Sequence, residues 1–272
     1  VPALVLLAVV LLVPLIQSLI RSFGPQGFTL GHYSSLFTDG VTMTVLGRTA
    51  ATAAVVTVIT FLLGYPYAYL MTRVAPRWRA ILLVIVLIPF WTSVMARNFA
   101  WIILLQRGGP VQNVLEFFGA GDVVLKGSLA GVTIAMSQVL LPFMVLPLFS
   151  SLGGIDRRLL LAARGLGSSP LVAFWKIYWP LSRGGVVSGL ILVFTLSLGF
   201  YVTPALLGSP QQSLIAQLLA QRTTQLLDFA GAGALGMLVL VVTLVLVAWA
   251  NRVGGTISAI GVVSTSRTKE HA

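Results

Sequence analysis

The stretch TAATAAVVTVITFLLGYPYAYLMT, residues 49–72, runs for 24 positions without a charge. A helix needs about 20 apolar residues to cross the hydrocarbon of a bilayer, and this run is long enough with turns to spare. Five further stretches lack charge over a comparable length: 1–20, 80–96, 127–155, 184–221 and 229–251. The third continues past Arg97 through residues 98–106. The pattern predicts an all-α integral membrane protein of about six spans, near 1–21, 47–71, 81–105, 128–150, 185–207 and 229–250. Composition agrees. Of the 272 residues, 57% are hydrophobic and 8% are charged, against about 25% charged in soluble domains. So few charges could not cover a soluble fold of this length.

The net charge of +11 does not point to nucleic acid, because the basic residues are not gathered into a patch. They lie between the apolar runs, as topology determinants do. One set of connections (73–79, 155–183 and the tail after residue 251) holds Arg73, Arg77, Arg79, Arg157, Arg158, Arg164, Lys176, Arg183, Arg252, Arg267 and Lys269. The other set holds Arg21, Arg48, Arg107, Lys126 and Arg222. Eleven against five makes the first set cytoplasmic by the positive-inside bias. Asp39, Glu116, Asp122 and Asp228 fall in the outer set and leave it nearly neutral. An even number of spans then puts both termini in the cytoplasm, with a transmembrane body over 1–254 and a cytoplasmic tail over 255–272. The sequence opens at Val1 inside an apolar run, so residues are expected to precede it. The run lacks a basic n-region and a small-residue cleavage site, and it is long for a signal peptide.

Tyr65, Tyr67, Tyr69 and Trp78 cluster at the inner end of the second span. Trp101 lies near the outer end of the third, and Trp249 ends the sixth. Interfacial aromatic belts account for them. Pro14, Pro66, Pro89, Pro142, Pro147 and Pro204 fall in or near spans, where neighbouring helices can satisfy the freed carbonyls. Gly185 with Gly189, and Ala232 with Gly236, are small-residue pairs at four-residue spacing that let helices approach closely.

Catalytic material is scarce. With no cysteine there is no disulfide, thiolate metal site or cysteine nucleophile. His32 and His271 have no partner at ligand spacing, so no metal site is expected. There is no GxxxxGK[ST] loop with which to hold a nucleotide. No chain of intramembrane carboxylates marks a proton- or ion-coupled carrier. A self-contained secondary transporter or channel remains the rival reading, and a membrane-embedded enzyme a third. Arg97 is the one strong charge within a span. It reads either as a snorkelling or packing arginine or as a polar group facing a translocation path. Phe200 and Tyr201, on the fifth span, read as packing residues or as cation–π contacts on such a path.

The connection 155–183 is far longer than a hairpin needs, and much of it is apolar: Leu159, Leu160, Leu161, Ala162, Ala163, Leu166, Phe174, Trp175, Ile177, Tyr178 and Trp179. Two short helices are expected. The first covers about 157–166 and ends at Gly167, a residue suited to the left-handed position after a helix. Ser169 then caps a second helix, with Pro170 in its first turn and Pro180 limiting its far end. By its physics this elbow is either a docking surface or an amphipathic segment lying on the membrane.

The residues Ala162-Ala163-Arg164-Gly165-Leu166-Gly167-Ser168-Ser169-Pro170, followed by Phe174, Ile177 and Pro180-Leu181-Ser182, resemble the "EAA" loop of ABC importer permeases. The segments 97–101, 141–147, 155–156 and 203–208 resemble the spermidine/putrescine-type branch of that family. The likeness covers nearly the whole chain. Two positions depart from the pattern: Leu161 stands where the family has Glu, and Gly184 where Pro is usual. The resemblance implies a subunit of the bacterial inner membrane that pairs with a second permease. Two cytoplasmic ATPase subunits would drive the pair, coupled to this chain through Ala162, Ala163, Leu166, Gly167, Ser169, Pro170, Phe174, Ile177 and Pro180. A solute-binding protein would deliver substrate from outside. It further implies alternating access, polyamines or a related small organic solute as cargo, and no cofactor on this chain, ATP and Mg belonging to the ATPases.

Overall fold

The computed structural model describes residues 2–23, 31–119 and 123–262. Val1, Asp122 and the tail residues Arg267, Lys269 and His271 lie outside the described residues. The elements are α1 (Pro2–Ser22), α2 (Gly31–Thr38), α3 (Gly40–Arg73), α4 (Pro76–Trp91), α5 (Val94–Leu105), α6 (Pro110–Phe117), α7 (Leu129–Gly153), α8 (Arg157–Gly165), α9 (Pro170–Ala173), α10 (Trp179–Leu198), α11 (Val202–Leu207), α12 (Ile215–Thr224) and α13 (Phe229–Val262). Among the described residues there is no strand.

The core is the packing of α3, α7 and α10 on one another. Glycines make the approach possible. Met144 of α7 is fully buried, and side chains added at Gly64 of α3 and Gly189 of α10 would meet it at 2.9 and 2.7 Å. At Gly185 an added Cβ would sit 2.4 Å from the Ser151 Cβ. Gly233 of α13 packs in the same way against the Ser18 carbonyl of α1. Buried hydroxyls turn back on their own helices: Thr49, Thr57, Ser137 and Ser197 each donate to the carbonyl four residues earlier, the usual solution where no water is at hand. α3 and α7 run unbroken across Pro66, Pro142 and Pro147.

Helix starts follow their caps. Asp39 accepts from the Val41 and Thr42 amides, so α3 begins two turns before the expected residue 47. Ser128 accepts from the Gly131 amide and starts α7. α13 runs past the expected end at 250 to Val262, so the first part of the expected tail is helical.

Two spans expected to be continuous are broken. The third divides at Thr92-Ser93 into α4 and α5, and the span bends there by 99°. Pro89 takes one amide out of the last turn of α4, Thr92 is extended, and Ser93 caps a new helix by accepting from Ala96 N. α4 has 16 residues, about 24 Å of helix, so the break falls short of the roughly 30 Å hydrocarbon thickness. The fifth starts earlier than residue 185 and stops at Leu198, with α11 following after Gly199-Phe200-Tyr201.

Candidate functional site

The 155–183 connection closes one end of the bundle. After Gly165 the chain turns at Gly167, whose φ of +85° residues with a Cβ, Asn and Asp aside, rarely adopt. Leu166 N donates to Ala162 O and Ser168 N reaches back to Ala163 O, each at 3.0 Å, the bond pattern of a glycine-terminated helix. Ser169 Oγ then accepts from Val172 N at 3.4 Å, with Pro170 in the first turn of α9.

Beyond Ala173 the chain departs from expectation. Pro180 does not end the second helix. Residues 174–178 form one wide turn in which Trp179 N donates to Phe174 O, five residues back, and the helix continues directly into α10. A proline ring clashes with the carbonyl four residues before it in a regular α-helix. The wider turn makes room for that ring. The elbow's second arm and the fifth span are therefore one helical segment, Pro170–Leu198.

The nine expected elbow residues sort by exposure. Ala162, Leu166, Gly167, Ser169 and Pro170 face outward, with Leu166 89% exposed. Phe174, Ile177 and Pro180 are half-buried. Ala163 is buried and so underlies the surface instead of belonging to it. Leu171, which the motif does not single out, is 71% exposed, and Leu159, Leu161 and Trp175 add further apolar surface. Leu171 follows the Ser169-Pro170 cap directly, a local signal that could have marked it.

Beneath this surface lies an aromatic cluster built on Tyr65 and Tyr69, two residues expected in an interfacial belt, and on Phe174, Tyr178 and Trp179 of the elbow. Tyr65 is buried, and its ring centroid lies 5.6 Å from that of Trp179 and 6.2 Å from that of Phe174. Tyr69 packs edge-on to Tyr178 at 5.2 Å, and Phe174 stacks on Tyr178 at 5.7 Å. The Tyr65 hydroxyl and Ser182 Oγ are hydrogen-bonded at 3.1 Å, and the Arg73 guanidinium lies 4.9 Å over the Tyr69 ring. These contacts are non-local, between α3 and the elbow, so composition could not separate them from a belt. Trp78 and Trp249, by contrast, are exposed as a belt requires.

The other three expected residues lie away from the elbow. Arg97 sits in the first turn of α5, just past the break. Its Nη2 donates to Pro89 O, to Thr92 O at 2.9 Å and to Thr92 Oγ1 at 2.8 Å, while Nε donates to Thr92 Oγ1 at 3.1 Å. Phe200 and Tyr201 are at the break after α10 instead of on a helix; Phe200 packs on the core and Tyr201 is exposed. α11 packs against α5, so the two breaks lie on neighbouring elements. The end of the bundle opposite the elbow is tied together by long-range bonds. Arg48 donates to Gln211 O and Ser213 O, Ile215 N to Thr49 Oγ1, and Arg222 pairs with Asp39 at 3.1 Å. The hydrogen bond from Thr42, with the Val41 and Thr42 amides and Arg222, holds the Asp39 carboxyl below its ordinary value against a smaller effect of burial. Among the described residues no three His, Cys, Asp or Glu gather at metal-binding distance.

Helix bundle, broken spans and apolar elbow together describe a transporter permease. The model of the family described as "binding-protein-dependent transport system inner membrane component" matches residues 62–254, and the chain belongs to that family. It is a multi-pass inner-membrane permease of the ABC importer class. It is 30% identical over 223 residues, 80% of this chain and 78% of the relative, to the spermidine/putrescine transport system permease protein PotB of Haemophilus influenzae. It is 31% identical over 232 residues, 84% of each chain, to the protein of the same name from Escherichia coli K12. A bacterial ABC transporter involved in the import of the acidic polysaccharide alginate shares the fold, with a TM-score of 0.74 at 18% identity, covering 94% of this chain and 93% of that one.

Proposed function

We propose that this chain is the permease subunit of an ATP-driven importer of polyamines. A second permease would complete the pathway, two ATPase subunits would drive the pair, with the 155–183 elbow as this chain's docking surface, and an extracytoplasmic binding protein would deliver substrate. The observation that carries the coupling role is the elbow itself. Leu161, Leu166, Leu171 and Trp175 are exposed together, an apolar patch of the kind that marks an interaction surface. The arm that bears Leu171 and Trp175 continues without interruption into a span. Substrate class rests on the relatives' names. The chain holds no cofactor in this reading, and the nucleotide and Mg belong to the ATPases. Both termini and loops 73–79 and 155–183 face the cytoplasm, in keeping with the excess of Lys and Arg there. Alternating access follows if the ATPases move the elbow and the kinked spans follow it.

The test is reconstitution with the partner permease, the ATPase and the binding protein. Spermidine should accumulate only when ATP is present, and the purified chain alone should hydrolyse none. Accumulation by this chain alone, driven by an ion gradient, would establish the rival secondary carrier. Orientation is read separately: the chain has no cysteine, so Ser168→Cys offers one labelling site. It should react with an impermeant maleimide only in inverted vesicles. Reaction in intact cells would overturn the topology.

A further inference from the structure

A polycation importer whose spans carry no carboxylate needs another source of negative potential. The broken third span supplies one. A helix C-terminus carries about half a negative charge, concentrated on carbonyls that have no intrahelical partner. By its length of 16 residues, about 24 Å, α4 ends short of the roughly 30 Å hydrocarbon thickness. Pro89 O, Thr92 O and Thr92 Oγ1 converge there, and all three are already bonded to one cation, the Arg97 guanidinium. No carboxylate is among the partners of Arg97, so carbonyl and hydroxyl dipoles alone offset its charge.

We infer that this three-oxygen cup at the 99° break is a cation site for a primary ammonium group, and that Arg97 fills it until a substrate ammonium takes its place. The inference rests on the polyamine reading above. Three acceptors match the three N–H donors of an ammonium, and half-helix C-terminal ends coordinate cations in other transporters built on discontinuous spans. Exchange of one cation for another leaves no uncompensated charge at the break. The long apolar stem of Arg97 lets its head swing to the interface when displaced. The tethered cation also keeps the cup closed to other cations when substrate is absent.

The experiment measures equilibrium binding of radiolabelled spermidine to the permease–ATPase complex in nanodiscs, without ATP or binding protein. Wild type is compared with Arg97→Met, which removes the tethered cation and keeps an apolar stem. If Arg97 fills the cup about nine-tenths of the time, its removal tightens binding by about tenfold. Arg97→Gln, which removes the tethered charge and keeps an amide donor, should also bind more tightly, and it carries the test if Arg97→Met fails to assemble. Binding equal to or weaker than wild type in an assembled variant overturns the site. Uptake by the complete wild-type system separates this result from the substrate reading. If uptake is intact while variant binding is no tighter, the cup alone falls. If spermidine is not taken up while the variant binds it more tightly, the cation site stands and the substrate assignment falls. If both are absent, both fall.

Discussion

Gly167→Val should insert and assemble with the partner permease normally, yet lose co-purification of the ATPase and with it ATP-driven uptake. The effect comes from backbone conformation and not from crowding, because nothing lies within 4 Å of a Cβ added at Gly167. Its φ of +85° costs a residue with a Cβ about 1–2 kcal/mol, and a β-branched residue more. Valine therefore favours a helical φ at 167. The two arms of the elbow would then run together, and the 3.0 Å bond from Ser168 N to Ala163 O would be lost. Leu166 and Leu171, on opposite sides of the turn, would no longer form one surface. Gly167→Asn is the control, since Asn tolerates the left-handed region and should retain most ATPase association. Normal co-purification and full uptake by Gly167→Val would remove the elbow from the coupling role.

Gly185→Val should fail earlier, at the level of the folded bundle. A Cβ there would lie 2.4 Å from Ser151 Cβ and 2.9 Å from Pro147 O, and the second of these is backbone that cannot rotate away. Overpacking a close core contact costs about 1–3 kcal/mol where neighbours can shift. Here α7 and α10 must separate, which also loosens Met144 from Gly189. The expected result is a marked loss of detergent-stable protein, read by fluorescence-detected size exclusion and thermal aggregation. Gly184→Val, one residue away with nothing within 4 Å of its added Cβ, should behave as wild type. Equal stability of the two variants would contradict the close packing of these helices.

The existence of the spans was legible because run length is a local property, and so were the turn at Gly167 and the cap at Ser169. The break at Thr92-Ser93 was not. Residues 80–96 read as one apolar run, and a Thr-Ser pair is compatible with a continuous membrane helix whose hydroxyls bond back to it. What decides the matter is the extended backbone at Thr92 and the cap that Ser93 gives a new helix, with Arg97 bonding back across the bend. The reading of Pro180 as a terminator failed for a related reason: a single wide turn can absorb a proline, and no residue type marks that turn in advance. Tyr65 and Tyr69 were misread because a tyrosine at the end of a span has the same sequence signature whether it faces lipid or another helix. Each miss is a long-range or geometric property, and each concerns an element of the candidate sites.

The unbroken segment Pro170–Leu198 makes a lever of the elbow. Its 29 residues span about 44 Å at helical rise. The Trp179 ring, held against Phe61 and Tyr65, lies about 12 Å from Leu171 and about 29 Å from Leu198 along the axis. With the fulcrum there, a sideways push of about 1 Å at Leu171 is delivered as about 2 Å, in the opposite direction, at Leu198. The far end of the rod is the Gly199-Phe200-Tyr201 break, and α11 beyond it leans on the helix that carries Arg97. If the ATPases push on the elbow as proposed, the thrust would arrive amplified and reversed at that break, beside the helix that carries Arg97.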